Sequence, residues 1–130
     1  MTQVAQKTNN VVSETSYAFA LNVIPPVRAL RAQHEYEIAR QLLRCGPSSG
    51  ANVEEAQCGV SSVDFAAKMR IASKEASEAH YGVRLARDSR TLSHNPVQLR
   101  VKQAKELIRI LTASVKMSQR SRNPNLSIHH

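Results

Sequence analysis

Residues 41–56 read Gln41-Leu-Leu-Arg-Cys-Gly-Pro-Ser-Ser-Gly-Ala-Asn-Val-Glu-Glu-Ala56. A helical pattern is interrupted there by Gly46-Pro47 and Gly50, yet resumes at once. Proline lacks the N–H that would bond the preceding turn, and glycine removes a side chain, so the stretch predicts a bent helix that something approaches closely. On its N-terminal side, Glu35 to Arg44 continues the same helix, with Ile38, Leu42 and Cys45 on the inner stripe. On its C-terminal side the pattern ends at Gly59, a natural terminator. This bent helix reads as the second of four.

The first helix begins near Glu14, with Tyr17, Ala20, Ile24 and Val27 on one stripe and Phe19 and Leu30 beside it. Pro25-Pro26 allows two readings. The helix restarts at one of the prolines, or it runs on kinked to about Leu30; the kinked helix is preferred. Ser61-Ser62-Val63-Asp64 has the spacing of a capping box and opens a third helix. That helix runs to about Arg90 on a heptad of Phe65, Met69, Ala72, Ala76, Ala79, Val83 and Ala86, small residues that suit close helix approach. Asn95 as cap, Pro96 at the first helical position and Gln98 closing the box start the fourth helix. Its inner stripe is Val97, Val101, Ala104, Ile108, Leu111 and Val115.

Short connections make neighbouring helices antiparallel, so the expected fold is all-α: an up-down-up-down four-helix bundle with the second helix kinked near Gly46/Pro47. The composition agrees, because 42% of the 130 residues are hydrophobic but only 4% are aromatic, leaving an aliphatic core suited to helices. One domain is expected over 14–120, with flexible tails at 1–13 and 121–130.

Cys45 and Cys58 lie about 20 Å apart along a shared helix by the rise per residue, beyond disulfide reach. Free thiols, a polar start and no long apolar run predict a cytoplasmic protein with no membrane segment.

Five segments carry a family resemblance: Ser16-Tyr-Ala-Phe-Ala-Leu21, Glu35-Tyr-Glu-Ile-Ala-Arg-Gln-Leu-Leu-Arg44, Gly50-Ala-Asn-Val-Glu-Glu-Ala56, Asp64-Phe-Ala-Ala-Lys-Met-Arg-Ile-Ala72, and Lys74-Glu-Ala76 with Glu78. Over about residues 14–118 the chain resembles the bacterial four-helix-bundle proteins first noticed as products of intervening sequences in large ribosomal RNA genes. The resemblance implies a barrel-like homopentamer, kinship with accessory proteins of diversity-generating retroelements, nucleic-acid binding and no enzymatic activity. The chain departs from the family at Cys45-Gly46-Pro47-Ser48-Ser49-Gly50, where Ser-Gly-Thr-Ser-Ile-Gly is usual. It also departs at Gly82, where Trp is usual, and at Pro25-Pro26.

The net charge of +8 is unevenly spread: residues 1–67 hold five Lys/Arg against six Asp/Glu, residues 68–130 thirteen against four. The basic second half points toward an acidic partner such as RNA or DNA. On the fourth helix Lys102, Lys105, Arg109, Lys116 and Arg120 share the outer stripe. Arg84, Arg87 and Arg90 at the end of the third helix lie near them if the helices are antiparallel. The plainer reading of such a stripe is a solvated face. Few aromatics are present to stack on bases, so binding through this face is expected to be directed at the nucleic-acid backbone.

A second polar group, Asn52, Glu54, Glu55, Asp64, Lys68, Lys74, Glu75 and Glu78, falls on facing stretches of the second and third helices. It reads as a structural ion-pair network and not as a metal or acid-base site, since the Glu-x-x-His pair of di-iron bundles is missing. His34, His80, His94, His129 and His130 show no metal-ligand spacing. There is no nucleophile elbow or phosphate-cradling glycine loop, so the chain is expected to be non-enzymatic and without cofactor. The alternative to nucleic-acid binding is a scaffold for another protein, such as a reverse transcriptase.

Overall fold

The computed structural model describes residues 3–59 and 61–122. In order they form α1 (Gln3–Asn22), α2 (Ile24–Ala32), α3 (Tyr36–Gln57), α4 (Ser62–Asp88) and α5 (His94–Arg122). No strand occurs among the described residues. Val23 joins α1 to α2 with helical backbone angles, φ −83 and ψ −13. The Val23 N–H donates to Phe19 O and the Val27 N–H to Val23 O, both at i−4 spacing. Pro25 and Pro26 sit in the first turn of α2, where their missing N–H groups have no helical partner to lose. The α1–α2 pair therefore serves as the first helix of a four-helix bundle.

The ring of neighbours is α1–α2 on α3, α3 on α4, α4 on α5, and α5 back on α1. Cross-links that pair high with low residue numbers, Lys68 with Glu55 and Arg87 with Gln98, fix successive helices as antiparallel. The core is aliphatic: Phe19, Leu30, Leu42, Met69, Leu107 and Leu111 are its largest fully buried side chains.

Three features depart from the sequence reading. Helix α1 starts at Gln3, so most of the expected 1–13 tail is helical, and Val12 is fully buried. The buried stripe of this helix is Val12, Ser16, Phe19, Val23, Val27 and Leu30, while Tyr17 is exposed. The displaced stripe has a physical cause in Ser16: its Oγ donates to Ser13 O within the helix, which lets a polar residue fill a core position. Helix α5 starts two residues before Pro96 and continues through Arg122, with the Val97 N–H bonding Ser93 O. Gln98 consequently closes no capping box and accepts from Arg87 instead. Of the expected 121–130 tail, residues 123–130 lie outside the described residues.

Helix α3 runs unbroken through Gly46 and Pro47. A Cβ at Gly46 would stand 2.9 Å from Val23 Cγ2, and one at Gly50 would stand 3.4 Å from Ser16 O, so these glycines bring α3 against the α1–α2 joint and the body of α1. Gly82 does the same for α4, where a Cβ would lie 3.0 Å from Leu42 Cδ2. Between the two α3 glycines, the buried Ser49 donates through Oγ to Ala72 O on α4 at 2.9 Å. The capping expectation at α4 holds: Ser61 Oγ accepts from the Asp64 N–H at 3.1 Å.

Candidate nucleic-acid interface

Helix α4 presents different chemistry to its two neighbours. Toward α3, Arg44 bridges Glu75 at 3.1 Å and also bonds Glu78. Glu78 by hydrogen bond, and Glu75 by charge, hold the Arg44 guanidinium above its usual pKa. Nearly two turns into α4, Lys68 pairs with Glu55 at 2.9 Å. The expected polar group is thereby divided. Glu75 and Glu78 go to Arg44, Glu55 to Lys68, and Asp64 to the helix start. Asn52 turns back to Ser48 O at 2.9 Å. Glu54 and Lys74 are exposed and enter no ion pair among the described residues. Arg44, the hub, has no place in the sequence-derived set, because on a helical wheel it stands away from the inner stripe. Burial pushes the neighbouring Cys45 thiol up to about 11, so it is an unreactive packing group. Among the described residues no cluster of three or more His, Cys, Asp or Glu could hold a metal ion.

Toward α5, like charges gather. His80, Arg84 and Arg87 follow one another at helical spacing on α4, and Lys105 faces them from α5. Burial depresses the His80 pKa, and the positive charges of Arg84, Lys105 and Arg87 depress it further. Arg84 from α4 and Lys105 from α5 thus act on the same ring, and both side chains are exposed. Arg87 is turned inward: Nε donates to Asp88 Oδ1 at 2.7 Å and Nη1 to Gln98 Oε1 at 2.7 Å, with 21% of the side chain exposed. Its role here is to clamp α4 to α5.

The remaining basic positions are spread along α5. Lys102 lines a groove toward α1 beside Glu14 and Glu106. Arg109 is held by Glu106 one turn earlier, its Nε donating to Glu106 Oε2 at 3.0 Å. Lys116 and Arg120 are exposed near the far end. Arg90 sits beyond the end of α4 with a left-handed backbone, φ 60. The eight predicted cations therefore separate into Arg84 and Lys105, which both act on His80, a clamped Arg87, a neutralised Arg109 and outlying Lys102, Lys116, Arg120 and Arg90. Sequence reasoning missed His80, whose only signal was its spacing of four and seven from Arg84 and Arg87.

No helix of the described chain is long and apolar enough to cross a membrane. Residues 8–113 match the family model of the 23S rRNA-intervening sequence protein. A crystal structure of a protein of unknown function from the S23 ribosomal protein family of Bacteroides thetaiotaomicron is 31% identical, with a TM-score of 0.79; the match covers 84% of this chain and 98% of that one. No functionally curated protein matches the chain. With the model spanning most of the bundle, this chain belongs to the 23S rRNA-intervening sequence protein family.

Proposed function

We propose that this protein is a non-enzymatic, homo-oligomeric cytoplasmic bundle that binds nucleic acid, RNA first, through the α4–α5 face. The observation that carries the reading is the gathering of His80, Arg84 and Lys105 with no carboxylate among the charges that shift His80. Like charges held together cost stability unless an anion joins them, and a phosphate backbone is the anion this spacing suits. Arg87 stiffens the face, and Lys102, Lys116 and Arg120 extend it along α5. Repetition of the face around a ring of subunits, five by family resemblance, would multiply the phosphate contacts.

A second reading has its own observation. Tyr81 and Leu85, one turn apart on α4, and Tyr36 and Leu43, two turns apart on α3, are exposed apolar side chains. A protein partner, whether another copy or a nucleic-acid enzyme such as a reverse transcriptase, would cover them. The two readings separate in one experiment: nuclease-treated protein titrated with labelled RNA and duplex DNA across a salt series, beside the variant R84E/K102E/K105E/R109E. The first reading requires affinity that falls steeply with salt and vanishes in a folded, still-assembled variant. Absence of binding at moderate salt, together with a protein captured through α3–α4 that survives nuclease, favours the second.

A further inference from the structure

At one end of the bundle α2, the α4–α5 loop and the start of α5 line an open cavity of about 480 Å³. This falls within the range of roughly 300–1,000 Å³ common for small-molecule sites. Two arginines line it, Arg90 and Arg100, and no acidic residue does. The groove between α1 and α5, similar in size, differs in just this respect, since Glu14 and Glu106 border it and would repel an anion.

Arg100 has one donor without a partner. Arg100 donates from Nη1 to Gln103 Oε1 at 2.9 Å, which fixes its guanidinium, yet its Nε is buried and bonds nothing. A buried donor on a charged group is costly to leave unpaired. Arg90, the residue after the Ser89 cap of α4, is held at φ 60, a left-handed backbone that favours glycine, with its N–H donating to Arg87 O. Guanidinium forks match phosphate oxygens in geometry as well as charge. Thr91 and Ser93 add hydroxyls to the same wall.

Pro25, Pro26, Leu92 and Pro96 add apolar surface to the same lining. Guanidinium groups beside apolar surface suit a phosphate monoester carried on a flat, apolar group better than a bare anion. We infer that this cavity binds a nucleoside monophosphate, either free or as the 5′-terminal nucleotide of a strand. The site is separate from the α4–α5 face and stands whether or not that face binds nucleic acid.

The test is calorimetric titration of the full chain with AMP, adenosine and inorganic phosphate, and with a 10-mer RNA carrying a 5′-phosphate or a 5′-hydroxyl. The expected result is at least about a tenfold preference for the phosphorylated member of a pair, the worth of one charge-assisted contact. AMP should also outbind inorganic phosphate. Arg90→Gly removes a guanidinium while relieving the left-handed strain, so it should fold at least as well as the parent and lose the preference. Arg100→Lys, which keeps the charge but not the fork, should weaken it. If AMP alone discriminates, the ligand is the free nucleotide; if the 10-mer pair discriminates, it is the strand end. Equal binding within both pairs, inorganic phosphate as tight as AMP, or a preference that persists in folded Arg90→Gly would overturn the assignment.

Discussion

Helix α3 and helix α5 both carry many polar residues, but they settle them in opposite ways. Helix α3 packs on α1, α2 and α4, and its small residues Gly46, Ser49 and Gly50 are fully sunk. Its cation Arg44, about half exposed, is matched to two carboxylates, one of them the buried Glu75. Helix α5 packs mainly on α4 and α1, and Lys102, Lys105, Arg109, Lys116 and Arg120 along it are exposed, with Arg109 alone among them in an ion pair. Where a helix is enclosed, desolvation forces each charge to find its opposite. Where it is open, water tolerates like charges side by side, and only a ligand gives their gathering a use.

The contrast predicts the largest effect at the enclosed helix. Gly46→Val places a branched side chain where a single Cβ already meets Val23, itself fully buried and stiff. Overpacking of this kind should cost about 3 kcal/mol in urea denaturation. Next comes Arg44→Ala, which strands the buried Glu75 and should lower Tm by several degrees, whereas Arg84→Ala or Lys105→Ala should leave Tm unchanged or raise it slightly. Equal losses from Arg44 and Arg84 would erase the distinction between the two sides of α4. Smaller still, Ser114 on α5 is buried with an Oγ that bonds nothing. Ser114→Ala should therefore stabilise the fold by about 1 kcal/mol by removing an unpaired hydroxyl.

The bundle was legible because small-residue heptads in α4 and the first half of the α5 stripe repeat regularly, and repetition is what a single sequence displays best; beyond Ala104 the buried positions of α5 are Leu107, Leu111 and Ser114, with the expected Ile108 and Val115 only partly buried. It was less legible in α1. There Val12 stands among polar neighbours and Ser16 fills a core position, so the apolar stripe appeared one residue away at Tyr17. The start of α5 was misread because Asn95 and Pro96 look like a cap and first residue, while the backbone uses Ser93. At the site, antiparallel helices alone led to the expectation that Arg84 lies near Lys105, and both act on His80. The inward turn of Arg87 did not follow from them, since it depends on Gln98 arriving opposite. Arg44 and His80 escaped for a related reason: a helical wheel shows which way a residue faces, not which charge waits on the next helix.

His80 reports on the open side directly. Its pKa is lowered in the folded protein, so acid favours the unfolded chain, which takes up the proton more readily. The contribution of this site to stability is intact above the ordinary histidine value of about 6.5, and falls as pH drops below that value and through the folded-state pKa. Replacing Lys105 by Gln should raise the His80 pKa and flatten that dependence, although burial, the larger cause, remains.

The most direct measurement is the titration of the His80 ring by nuclear magnetic resonance, with and without saturating RNA. If the α4–α5 face is where phosphates sit, bound RNA offsets Arg84 and Lys105, and the His80 pKa rises. A pKa that stays depressed while RNA is bound, or RNA that does not bind, contradicts the account.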